Sequence, residues 1–90
     1  MVKNANMQYW KIVYSIYVDT LHAYDERYTR IANSELIKKF VGDAVLGIDK
    51  ATDNAVLFEA KDATAIFGDI ENLSRQDILS KVKDYIESYG

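Results

Sequence analysis

Tyr9-Trp10-Lys11-Ile12-Val13-Tyr14-Ser15-Ile16-Tyr17-Val18 contains the only tryptophan of the chain and three of its seven tyrosines. What this stretch becomes decides the fold. Read as a strand, it places Trp10, Ile12, Tyr14, Ile16 and Val18 on one face and Tyr9, Lys11, Val13, Ser15 and Tyr17 on the other. Read as a helix, it begins a stripe at alternating spacings of four and three, from Trp10 through Tyr14, Tyr17, Leu21, Tyr24 and Tyr28 to Ile31. Such a stripe marks one face of a long helix. Propensity favours the strand, because β-branched and aromatic residues lose side-chain freedom in a helix and fit a pleated surface. Lys11 is the only strong helix former in the ten residues.

After this stretch the helical pattern continues over 20–32, with Asp19 or Thr20 as its cap. The competing reading is a strand over 23–31, with Tyr24, Glu26, Tyr28 and Arg30 on one face. That reading would close a long hairpin, but the connection Asp19-Thr20-Leu21-His22 lacks the glycine or Asn-Gly pair that hairpins favour. Ser34 and Glu35 then open a predicted short helix over 35–41. Its apolar side is Leu36, Ile37 and Phe40, and Gly42 stops it.

The strongest β signal follows. Apolar runs at 44–48 and 55–60 flank the polar loop Asp49-Lys50-Ala51-Thr52-Asp53-Asn54, which predicts a hairpin. Gly47 inside the first run points to a bulge or a close backbone approach. Over 62–70 the expectation is a short helix carrying Ala65, Ile66 and Phe67, capped by Asp62 and closed by Gly68. Ser74 caps the best helix, 75–88, with Asp77 three residues on and an apolar stripe of Ile78, Leu79, Val82, Tyr85 and Ile86.

These elements give an α+β fold. A small antiparallel sheet of three to four strands (9–18, 44–48, 55–60, with 23–31 as the fourth) is packed by the C-terminal helix and the short middle helix. The alternative is mostly α, with one long N-terminal helix and one hairpin. Ninety residues without an internal repeat or linker read as a single domain, 1–90, with 1–6 loose.

Composition narrows the function. The chain has no cysteine, which excludes a disulfide framework, a thiolate metal site and a cysteine nucleophile. With no leader-like apolar run at the N-terminus and no stretch near the roughly 20 residues that span a bilayer, the expectation is a cytoplasmic protein away from membranes. The net charge is −3, with ten acids after residue 42 against four before it.

No catalytic or ligand motif emerges. His22 lies near Asp19, Asp25 and Glu26, but no nucleophile elbow accompanies it. The 49–60 segment fails the calcium-loop pattern, since Ala51, Asn54 and Ala60 occupy positions that need a ligand, a glycine and a glutamate. Gly42 and Gly47 do not form a phosphate loop. The expectation is a non-enzymatic protein without cofactor or metal.

A surplus of aromatic residues points instead to a small protein-binding module, an inhibitor or adaptor whose partner is a second copy or a foreign protein. The candidate residues are Tyr9, Lys11, Val13, Tyr17, Tyr24 and Tyr28. The alternative is single-stranded nucleic-acid binding, in which bases stack on tyrosines beside Lys11, Arg27, Arg30, Lys38 and Lys39. The acids interspersed among those cations weaken that field.

Overall fold

The computed structural model of the chain describes residues 9–28 and 35–89. Five strands of six residues each form one antiparallel sheet: β1 (Trp10–Ser15), β2 (Thr20–Asp25), β3 (Leu36–Val41), β4 (Ala44–Asp49) and β5 (Ala55–Ala60). Helices α1 (Ala63–Phe67) and α2 (Arg75–Tyr89) follow. The strand order is β1-β2-β5-β4-β3, so β1 and β3 are the edges. The fold is α+β, as the sequence predicts, and it holds five strands rather than three or four. The mostly α alternative is not supported.

The stretch 9–18 is a strand only as far as Ser15. The chain turns at Ile16–Asp19 and returns as β2, pairing Ser15 with Thr20 and Trp10 with Asp25. As far as Tyr28 a hairpin and a 3-10 turn therefore replace the helix read over 20–32, and residues 29–32 lie outside the described residues. The strand read over 23–31 starts earlier, at Thr20, and gives way to a 3-10 turn at Glu26–Tyr28. Asp19 supplies the left-handed turn residue (φ 49°) for which a glycine was sought. A short polar side chain tolerates that conformation better than other non-glycine residues do.

The helix predicted over 35–41 is instead the strand β3. Its seven residues are too few to hold a helix without tertiary support. Gly42 (φ 61°) is the first residue of a two-residue turn that pairs Val41 with Ala44. The same positive φ that ends helices also closes hairpins, so the glycine alone does not separate the two. The β4–β5 hairpin forms as expected. Its pairing shifts register between Gly47 and Ile48. A Cβ at Gly47 would lie 2.9 Å from the Cβ of Leu57, so both features read from that glycine are present.

Alternation divides the sheet into two faces. The covered face carries Trp10, Leu21, Ala23, Phe58, Leu46 and Val41, which pack with Ile78, Leu79, Val82 and Ile86 of α2. Burying each large apolar side chain stabilises the fold by about 1.5–3 kcal/mol relative to exposure. Phe58, Phe67 and Tyr85 stack edge-on with centroids 5.5–6.1 Å apart. The Tyr85 hydroxyl donates to the Val41 carbonyl (2.8 Å) and accepts from the Asp43 N–H (3.1 Å), tying α2 to the β3–β4 turn. At the start of α2, Ser74 Oγ accepts from the Asp77 N–H at 3.1 Å, which is the predicted cap.

The helix α1 is capped differently from the prediction. Asp62 precedes it in a left-handed conformation and makes no side-chain cap bond. The acceptors come from Asp19 in the distant β1–β2 turn. Its carbonyl takes the Ala63 N–H (2.9 Å), and its carboxylate takes the Thr64 N–H (3.2 Å) and the Thr64 hydroxyl (2.5 Å).

Candidate surface on the first hairpin

Residues of the open face run across the sheet in rows. One row is Val13, His22, Glu59, Val45 and Phe40, from edge to edge. The next is Lys11, Tyr24, Leu57, Gly47 and Lys38. The large apolar side chains that are exposed among the described residues are Tyr9, Val13, Ile16, Tyr17, Val18, Ile37 and Phe40. Five of these seven lie in the stretch 9–18 and the other two on β3. Exposure is therefore concentrated at the two edges, and most of it on the first hairpin. Tyr17 at the tip of the turn is 95% exposed, and Val13 is 55% exposed.

The turn is tied down by hydrogen bonds although its side chains project. Tyr14 donates its hydroxyl to Asp19 Oδ1 at 2.6 Å. With the Thr64 contacts, Asp19 thus joins β1, the turn and α1. Hydrogen bonds from the Thr64 hydroxyl and then the Tyr14 hydroxyl, assisted by the Thr64 N–H, outweigh desolvation and lower the Asp19 pKa. The same bond, followed by desolvation and the charge of nearby carboxylates, pushes Tyr14 up to about 12. The turn residues Ile16, Tyr17 and Val18 are thus anchored at both ends.

The opposite end of the hairpin has its own anchor. Asp25 is buried, and Arg27 donates to it through Nε (3.0 Å), Nη2 (2.7 Å) and its backbone N–H (3.0 Å). Burial alone would raise the Asp25 pKa. The side-chain and backbone bonds from Arg27 and its charge outweigh that, and the pKa is lowered. The Arg27 guanidinium also lies 4.4 Å over the Tyr9 ring, a cation–π geometry. Beside it, Lys11 pairs with Glu26 at 3.2 Å. Trp10 is fully buried, its carbonyl accepts from the Arg75 guanidinium, and its indole N–H has no partner among the described residues.

The candidate protein-binding residues fall in three places. Lys11, Val13 and Tyr24 share the open face, with Tyr9 just before β1 under Arg27. Tyr17 stands apart at the tip. The side chain of Tyr28 lies outside the described residues.

The candidate nucleic-acid residues are not brought together. Lys11 and Lys38 occupy one row at opposite edges, four strand spacings or about 19 Å apart. Lys38 and Lys39 alternate to opposite faces of β3, Arg27 is engaged by Asp25, and Arg30 lies outside the described residues. His22 faces Glu59 at 3.9 Å, while Asp19 and Asp25 are committed elsewhere. Among the described residues no group of three or more His, Asp or Glu side chains is placed to hold a metal ion, and no helix is long and apolar enough to cross a membrane.

Ile16, Val18, Ile37 and Phe40 are surface residues that the sequence reading did not select. In the strand reading Ile16 and Val18 share the face of Trp10, opposite the selected residues. Ile37 and Phe40 lie on the apolar side of the helix predicted over 35–41. One signal was present, because Gly42-Asp43 between two apolar runs is itself a hairpin pair.

No protein-family model matches the chain, and neither does any curated protein or solved structure.

Proposed function

We propose that this chain is a small protein-binding module that engages its partner through the first hairpin, using the β1 edge and the Ile16-Tyr17-Val18 tip. The observation that carries the reading is the concentration of exposed apolar side chains in 9–18, five of the seven such residues described. Tyrosine and its apolar neighbours contribute large contact area at low entropic cost, and an anchored turn loses less freedom on docking than a loose one. The Asp19 junction provides that anchoring.

Site-specific photocrosslinking in the cells that produce the protein tests this. A benzophenone side chain replaces Tyr17, and in a control it replaces Ser80, which is exposed on α2. Position 17 is expected to give a discrete adduct with a protein and position 80 none. Equal yields at both positions would overturn the reading. So would loss of the adduct on nuclease treatment, since that would transfer the surface to a nucleic-acid partner.

A further inference from the structure

We infer that β1 pairs antiparallel with β1 of a second copy of this chain, in the register that sets Val13 opposite Val13, so that two five-stranded sheets become one. The inference rests on the proposed role of the first hairpin and specifies its partner. Backbone groups along a strand face alternately toward one neighbour and the other. A two-residue hairpin turn is closed by a hydrogen-bonded pair, here Val41 with Ala44, and alternation from there through Val45–Glu59, Ala60–Leu21 and His22–Val13 turns Val13 toward β2 and the Trp10 carbonyl, which accepts from Arg75, away from it. By alternation the outward groups of β1 belong to Trp10, Ile12 and Tyr14. With Trp10 occupied, Ile12 and Tyr14 remain to pair.

A two-fold axis normal to the sheet places opposite one another only residues of the same face. Two registers are then central on β1. Centring on Ile12 sets Trp10 against Tyr14 and requires the occupied carbonyl. Centring on Val13 pairs Ile12 with Tyr14 twice and uses groups that have no partner among the described residues. It also sets Lys11 against Ser15, so no like charges meet, and it covers the exposed Val13.

The other edge behaves differently under the same rule. The central registers of β3 set either Lys38 against Lys38 or Lys39 against Lys39. Lysines on an edge are a common protection against strand addition. One edge is thus closed to a second copy by charge, and the other admits it in a single register.

The chain lacks cysteine, so a single introduced thiol reports on the pairing. Val13 would sit in a non-hydrogen-bonded pair, whose Cα separation of about 4.5 Å suits a disulfide. Under mild oxidation V13C is expected to form disulfide dimers at least about tenfold faster than F40C, which is in the same row but on the other edge. By light scattering at concentrations rising to the millimolar range, the wild-type chain should approach twice the monomer mass. V13K, which puts a lysine against itself, should stay monomeric with an unchanged circular dichroism spectrum. A wild-type chain that stays monomeric, with V13C no faster than F40C, overturns the inference. If the Tyr17 photocrosslink to a foreign protein persists in that case, the protein-binding reading stands without self-pairing. If neither a foreign adduct nor a dimer is found, both fall.

Discussion

Phe58 and Phe40 sit on strands of the same sheet and could hardly be more differently placed. Phe58 is fully buried between the sheet and the helices, in ring contact with Phe67 and Tyr85. Phe40 is 80% exposed on the opposite face, at the edge. Residue type does not distinguish them; parity along the strand and distance from the helices do. Among the described residues there is one long α-helix and one short one, and both pack on the same side. The second side has apolar residues but no cover among the described elements. The difference teaches that this sheet is built as half of a sandwich, with surplus apolar surface moved to its edges and its first turn.

The largest effect is expected on the covered side. Phe58→Ala should cost about 3–5 kcal/mol, the usual range for emptying a buried aromatic site. Urea unfolding followed by tryptophan fluorescence would measure it, since Trp10 shares the same core. A cost below about 1 kcal/mol would mean that the helices are loosely docked, and the contrast between the faces would dissolve.

A smaller but definite cost is expected where the open face is tightly built. Leu57 lies over Gly47, and a Cβ there would approach the Leu57 Cβ to 2.9 Å. Gly47→Val should destabilise by about 1–3 kcal/mol through overpacking. Gly47→Val combined with Leu57→Ala should recover part of the loss, which a double-mutant cycle would detect. Without such recovery, the strain would lie in the backbone of the bulge rather than in the side-chain contact.

The Asp19 junction gives a pH dependence. Its folded pKa is lowered, so its contribution is present above the unfolded carboxylate value, about 3.9, and is lost as pH falls through the lower folded value. Asp19→Asn keeps an acceptor and tolerates the left-handed turn, so it removes mainly the charge. The stability gap between wild type and Asp19→Asn should therefore be open at pH 7 and narrow below about pH 4. Tyr14 titrates with the opposite sign. Its contribution holds below about 10 and disappears as pH rises through about 12. A gap that does not change with pH would mean that the Asp19 charge adds nothing to the anchoring of the turn.

The sequence made the covered side more legible than the open one. The stripe of α2, its Ser74 cap and the β4–β5 hairpin follow from local periodicity and turn chemistry. These signals are strong because each is complete within a few residues. The faces of β1 were also readable as far as Ser15, because alternation needs only the strand. Two things were not local. The turn at 16–19 has no glycine, and its Asp19 is held by α1, 45 residues away in sequence. The run Leu36-Ile37-Lys38-Lys39-Phe40-Val41 fits a helix face as well as a strand. Its pairing with β4 through Gly42-Asp43 decides the matter, and a tertiary pairing is not written in six residues. The surface candidates suffered for the same reason, since Ile37 and Phe40 could be placed only after β3 was known to be an edge.

The smallest expected effect is the sharpest test of the contrast between the two phenylalanines. Phe40→Thr replaces an exposed aromatic by a β-branched residue, which keeps strand preference while removing the ring. If the ring rests only in water, stability should change by no more than about 0.5 kcal/mol, as for surface positions away from special features. Solubility should rise, because an exposed apolar residue leaves an edge strand. The comparison with Phe58→Ala then spans several kcal/mol for the same side chain in one sheet. A loss of about 2 kcal/mol for Phe40→Thr would show the reverse, that the ring is covered in solution. Dilution would identify the cover. If the loss fades as protein concentration falls, another copy provides it, and β3 is an interface despite its lysines.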